Sequence, residues 1–165
     1  MIYSLSGKLM SKKEGFIVVD VAGVGHKVAM PAKAYQDLPV LGKPLQIFCH
    51  LHVREDALDL FGFPKEEDLD FFERLITVNG VGPKSALAVM AIAPTEQLMA
   101  AGNEGDAELL TKASGIGRKT AERIILELRG KVEADKSEAT VKKMEYDSDL
   151  VETLVSLGYR KDQAR

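Results

Sequence analysis

One stretch of this chain occurs twice. Leu75-Ile-Thr-Val-Asn-Gly-Val-Gly-Pro-Lys-Ser-Ala86 aligns without a gap on Leu110-Thr-Lys-Ala-Ser-Gly-Ile-Gly-Arg-Lys-Thr-Ala121. The shared core is Gly-(Val/Ile)-Gly-x-Lys-(Ser/Thr)-Ala, starting at Gly80 and at Gly115. Each copy sits between stretches of helical period. The glycine pairs Gly80/Gly82 and Gly115/Gly117 permit a tight turn and let the backbone approach a ligand closely. A helix that starts just after such a turn points free N–H groups and its positive dipole end outward, a ready phosphate site. Lys84 with Ser85, and Lys119 with Thr120, add a cation and a hydroxyl at each mouth; Asn79 precedes the first glycine. Val81 and Ile116, between the glycines, are expected to plug into the helix pair below.

Two other readings compete. A helix–helix turn with a good C-cap explains the glycines, and for one copy it stands level with a phosphate site, since short glycine motifs match often. It does not explain why both copies carry the same Lys and Ser/Thr. A nucleotide P-loop needs four residues between its glycines and a preceding strand, and neither is present. Around the second copy, Arg118, Lys119 and Arg123 have spacings that allow one helix face. Glu122 and Glu127 are interleaved, which leaves a solvated surface open. The position at a helix start, where the dipole adds, favours a phosphate-facing cluster.

The repeat lies in the middle of three textures. Residues 1–63 are rich in short apolar runs and turns. Phe16–Val21 and Gly25–Met30 read as strands joined by a tight turn at Ala22-Gly23. Leu45, Ile47, Cys49, Leu51 and Val53 alternate as in a half-buried strand, with Leu58–Phe63 as partner and Arg54-Glu55-Asp56-Ala57 as a charged hairpin tip. A short helix is expected over Ala32–Leu38, after Pro31. Several short strands and one short helix predict a small barrel. Residues 64–132 are helical in period: Leu69, Phe72, Leu75 and Ile76; Ala86, Leu87 and Met90; Ala121, Ile124, Ile125 and Leu128. Pro83 stands at a first helical position, Pro94 ends that segment, and Gly130 is the expected stop of the last helix. Asn103–Asp106 reads as the connection between the copies. Residues 133–147 read as a flexible charged linker. Leu150, Val151, Leu154, Val155 and Leu157 then return at helical spacing before Gly158. One such helix cannot bury its own face, so residues 148–165 are expected to begin a third small helical module that stops partway.

Composition narrows the function classes. A chain of 165 residues can bury a core without disulfide staples. The single cysteine, Cys49, makes no internal disulfide and no cysteine-based zinc site. The N-terminus has no long apolar run, and no apolar stretch approaches a membrane span. No membrane partner is expected, and the cytosol is the expected compartment. A net charge of −3 argues naively against nucleic acid, and no region is strongly basic. Local Lys/Arg clusters and backbone N–H groups can nevertheless bind phosphate inside an acidic chain. His26, His50 and His52 show no metal-ligand arrangement beyond an i, i+2 pair on a strand. No Walker motif or credible nuclease cluster is present. No metal, no cofactor and no catalytic site of its own are expected.

Tandem Gly-x-Gly hairpins resemble paired helix-hairpin-helix motifs, which bind DNA backbone without reading sequence. The order of parts is similar to that of the bacterial RuvA Holliday-junction-binding family. The strings Met1-Ile-Tyr, Val53-Arg-Glu-Asp56, Leu60-Phe-Gly-Phe63, Asn79-Gly-Val-Gly-Pro-Lys84 and Gly115-Ile-Gly-Arg-Lys-Thr-Ala-Glu-Arg123 carry the likeness, which runs over almost the whole chain. It implies an α+β multidomain protein: an N-terminal OB-fold barrel (1–63), an all-α tandem helix-hairpin-helix domain (64–132), the linker, and an incomplete UBA-like module. It implies a homotetramer, one or two per junction, holding four-way junction DNA in an open square-planar form. The hairpins Gly80–Lys84 and Gly115–Lys119 would grip phosphates along each arm. Glu55 and Asp56 would be an acidic pin at the centre; read from sequence alone, they are a plain polar turn. Arg54 is placed to offset their charge or to contact the backbone. The third module, through Leu150, Leu154 and Leu157, would recruit a RuvB-like hexameric ATPase, which uses the ATP, and a RuvC-like resolvase would share the complex. The setting that the resemblance implies is recombination, DNA repair and the SOS response in the bacterial cytoplasm.

Helix-hairpin-helix modules also occur in enzymes. A lysine-based glycosylase would need a nucleophile such as Lys112 with a carboxylate nearby, and spacing reveals no such partner. A protein-interaction scaffold, with purely structural turns, is the third class.

Overall fold

A computed structural model describes residues 2–129 of the chain. Five strands come first: β1 Ser4–Lys13, β2 Phe16–Val21, β3 Val24–Ala29, β4 Pro44–Val53 and β5 Leu58–Phe63. They close into a barrel in the order β1-β2-β3-β5-β4, antiparallel except for a parallel contact between β3 and β5. This is an OB-like barrel, with one long strand, β1, pairing with both β2 and β4 to close it.

The strands follow from their patterns. Along β2, Ile17 and Val19 are fully buried, with half-buried neighbours between them. The β2–β3 turn is made by Ala22 and Gly23 at φ 52° and 88°, the left-handed pair that two-residue hairpins favour. β3 begins one residue before the expected Gly25 and ends at Ala29. In β4 the alternation buries Leu45, Ile47 and Cys49 as expected. It fails at the far end, because β4 and β5 outrun the barrel: Val53 is 64% exposed and Leu58, its cross-strand partner, 71%. Cys49 fills the core, and burial pushes its thiol up to about 11. β1 carries a weak sequence signal, because its buried residues, Leu5 and Leu9, are only two. The segment after Pro31 is a 3-10 helix, Ala32–Asp37.

The helices follow: α1 Glu66–Thr77, α2 Pro83–Ile92, α3 Thr95–Glu104, α4 Ala107–Thr111, and α5 over residues 118–129. Glu66, Glu67 and Asp68 occupy the first turn of α1, where the helix dipole favours them, and Arg74 the last. Pro83 is the first residue of α2, and Pro94 caps α3. α3 runs through Asn103 and Glu104, so the connection expected over Asn103–Asp106 shrinks to two residues. Gly105, at φ 82°, stops α3, and the Asp106 carboxylate accepts from the Leu109 N–H to start α4.

Residues 2–128 belong to one compact unit. Phe61 and Phe63 of β5 enter the same core as Leu69, Phe72 and Leu75 of α1. The Phe72 ring lies 5.3 Å from Phe61, 5.0 Å from Phe63 and 5.6 Å from His50. Burying a phenylalanine side chain contributes about 1.5–3 kcal/mol, so this aromatic group fixes α1 on the barrel. Polar ties flank it. Tyr3 donates to Glu66, His50 Nδ1 lies 2.8 Å from Glu73 Oε1, and Lys33 donates to the Ile92 carbonyl at 2.8 Å. The hairpins are thereby held in a fixed relation to the barrel.

Among the described residues no helix is long and apolar enough to cross a membrane. Gly130, the linker over 133–147, the module over 148–165 and its Leu150, Leu154 and Leu157 lie outside the described residues.

Candidate nucleic-acid interface

The sequence repeat is a structural repeat down to its hydrogen bonds. The Val78 N–H donates to the Leu75 carbonyl at 3.1 Å, and Ala113 to Leu110 at 3.1 Å. Val81 donates to Val78 at 2.9 Å, and Ile116 to Ala113 at 3.1 Å. Ala86 donates to Gly82, and Ala121 to Gly117, both at 2.9 Å. Val81 and Ile116 are each 5% exposed, plugged into the helices beneath as their placement between glycines predicts. Gly80 at φ 92° and Gly115 at φ 81° take the left-handed conformation that lets each chain reverse.

The second glycine of each pair has a different reason. Gly82 has an extended backbone (φ −88°), and a Cβ built at Gly82 or Gly117 would meet nothing within 4 Å. Neither strain nor crowding inside the chain demands glycine there. What it provides is open space directly over the start of a helix. The first helical hydrogen bonds are made by Ala86 and Ala121, so the N–H groups of Lys84 and Ser85, and of Arg118, Lys119 and Thr120, lack intrahelical partners. Lys84 and Lys119 are exposed beside them; Ser85 and Thr120 are half-buried.

The hairpins lie against each other. Arg123 Nη1 of α5 donates to the Asn79 carbonyl of the first hairpin at 3.4 Å, and a Cβ on Gly80 would sit 3.9 Å from the same nitrogen. Reciprocally, a Cβ on Gly115 would sit 3.8 Å from Ser85 Oγ. The basic residues of the second copy are therefore divided. Arg123 turns toward the first hairpin, while Arg118 Nε pairs with Glu122 Oε1 at 3.3 Å on the exposed surface. Lys112, the candidate nucleophile of a glycosylase, follows α4 on the exposed surface with no ion-pair partner among the described residues.

At the barrel's edge, Arg54 and Ala57 exchange backbone hydrogen bonds of 2.9 and 3.4 Å, which puts Glu55 and Asp56 at the tip of a tight hairpin. Both are exposed and have no ion-pair partner among the described residues. Arg54 Nη2 bonds Asp59 Oδ2 at 3.1 Å instead. Between this hairpin and the first helical one runs a cleft of about 290 Å³, lined by His52, Arg54, Asp59 and Phe61 on one side and Gly82, Lys84 and Ser85 on the other. Sequence reading missed His52, Asp59 and Phe61 here. Period two along β4 and β5 puts all of them on Arg54's face, but nothing in that period says that the face meets Lys84.

A family model described as RuvA N terminal domain matches residues 1–62, and one described as SAM-like Helix-hairpin-helix tandem matches residues 72–131. The chain is 44% identical over 165 residues to the Holliday junction branch migration complex subunit RuvA of Dehalococcoides mccartyi (strain CBDB1), spanning 99% of this chain and 85% of that protein. It is 40% identical over 164 residues to the subunit of the same name from Caldanaerobacter subterraneus subsp. tengcongensis, spanning 99% and 87%. The one from Chromobacterium violaceum is 43% identical over 171 residues, spanning 99% and 86%. These alignments run through the barrel and both hairpins together, so they are not the likeness of one mobile motif. The chain belongs to the RuvA family.

Proposed function

We propose that this chain is a non-catalytic DNA-binding subunit that recognises four-way junctions by shape and serves a branch migration complex. One observation carries the reading: two hairpins with one hydrogen-bond pattern each leave an open glycine, unpaired helix-start N–H groups, a lysine and a hydroxyl at one mouth. That set fits a phosphate, with backbone N–H groups and a cation converging at a helix start. Contacts of this kind position DNA without reading its sequence. Arg118 and Arg123 add positive charge to the rim of the paired mouths, and Asn79 adds a polar amide.

Shape selectivity is assigned to Glu55 and Asp56. Carboxylates at an exposed hairpin tip repel phosphates brought against them. A continuous duplex has no gap to receive the tip, whereas an open junction has one at its centre. Four copies around that centre would present four tips to the gap and two hairpins each to the arms. That is a homotetramer on a square-planar junction, singly or as two tetramers. The relatives are named as subunits of a branch migration complex. Strand movement is accordingly left to a RuvB-like hexameric ATPase, engaged through the module that includes Leu150, Leu154 and Leu157, with a RuvC-like resolvase as a further partner. The cellular setting of the reading is the bacterial cytoplasm.

The test is binding of the full chain to a four-way junction and to duplexes of several sequences across a salt series. The junction should bind at least about tenfold tighter, with a steep linear dependence on log salt from released counterions. Equal affinity for junction and duplex overturns the reading. Replacing Lys84 and Lys119 together with Ala should weaken both complexes; unchanged affinity would make the turns structural and the chain a scaffold.

A further inference from the structure

We propose that Asp59 is a specificity-determining residue, which sharpens selection against duplex by holding Arg54 away from the acidic tip. The inference rests on the reading of Glu55 and Asp56 given above.

Arg54 adjoins Glu55 in sequence and is the Lys or Arg nearest in sequence to the two tip carboxylates. A neutralised tip would repel phosphate far less. Arg54 bonds Asp59 at 3.1 Å instead. In the β4–β5 register His52 faces Asp59 and Val53 faces Leu58, so Arg54 and Asp59 are diagonal neighbours on one face. Asp59 lies on the strand that leads away from the tip, and the bond turns the guanidinium back along the hairpin. Glu55 and Asp56 are left without a cation among the described residues.

The pair is not needed to close the hairpin. The ladder and the reciprocal Arg54–Ala57 bonds already do so. With side chains 52% and 46% exposed, the pair adds little to stability. Its consequence is directional: it decides where one positive charge points. Asp59 also shares the cleft with Lys84, and both line a neighbouring cleft of about 370 Å³. Arg54 and Asp59 act through the tip and are positioning residues.

Asp59→Asn in the full chain is the test, read as the ratio of junction to duplex affinity. Arg54 is then released to the tip, and duplex binding should tighten about threefold or more, junction binding by less. Asp59→Glu should restore the wild-type ratio, and thermal melting should be unchanged in both. Arg54→Gln added to Asp59→Asn should also restore it, because no cation remains to screen the tip. An unchanged ratio in Asp59→Asn overturns the inference. So does a ratio that stays low in the double variant, since Asp59 would then act by its own charge. The parent reading fails separately, through absence of junction preference in the wild type or an unchanged ratio in Glu55→Gln with Asp56→Asn; either result removes this inference with it.

Discussion

The first hairpin opens its helix with Pro83 and Lys84, the second with Arg118 and Lys119. Proline has no N–H, so the first mouth offers two unpaired helix-start N–H groups and the second three. The first is backed by the barrel through the Phe61–Phe63–Phe72 group and faces the cleft that holds Arg54 and Asp59. The second sits on α4, five residues long, and faces solvent on its Arg118–Glu122 side. One backbone solution is thus placed in two surroundings. The shared parts are those a phosphate needs; the unshared parts adjust charge and rigidity around it.

The largest test of this comparison concerns the plugs. Ile116→Ala should cost about 2–5 kcal/mol in urea denaturation, because it empties a buried site. Val81→Ala removes one methylene fewer and should cost about 0.8 kcal/mol less. If Val81→Ala proved the costlier, the first hairpin would depend more on its plug than on the barrel behind it, and the contrast in support would be reversed.

The hairpins were legible in sequence because everything that makes them is local. The turn bonds join residues three or four apart, and the left-handed positions are glycines. The β2–β3 turn and the inner half of β4 were legible for the same reason. β1 escaped because Ser, Gly and Lys surround its two buried leucines. The basic cluster at 118–123 was only half legible: spacing allowed one face, but Arg123's partner, Asn79, is 44 residues away and Arg118's is its own Glu122. Spacing within a helix cannot say which side a second hairpin will occupy. Arg54 belongs between these cases. Its partner is five residues on and on the same face, whereas the opposing Lys84 comes from tertiary packing.

A second test separates the two glycines within each hairpin. Gly80→Ala and Gly115→Ala force a side chain into left-handed backbone and should each destabilise by about 1–2 kcal/mol, alike in both copies. Gly82→Ala and Gly117→Ala meet no strain and no neighbour, so their melting temperatures should match the wild type. Their junction affinity should nevertheless fall about fivefold each, about 1 kcal/mol, since the added methyl stands where the phosphate would approach. Unchanged affinity in both would return the second glycines to a purely structural reading. A loss confined to one would show that a single hairpin does the gripping.

The smallest effect is expected at Arg118, where the two copies differ most in charge. Its side chain is 88% exposed, and its pair with Glu122 is of the i, i+4 kind, so Arg118→Ala should change stability by less than about 0.5 kcal/mol. DNA binding should respond in a particular order. Arg118→Ala leaves Glu122 unpaired beside the second mouth, so it should weaken binding more than Arg118→Ala combined with Glu122→Ala. The difference should shrink as salt is raised, because both groups are screened. If the double variant binds no better than the single, Arg118 contacts phosphate directly and Glu122 is a bystander. The second mouth would then use two side-chain cations where the first uses one, and its extra N–H would be accompanied by an extra charge.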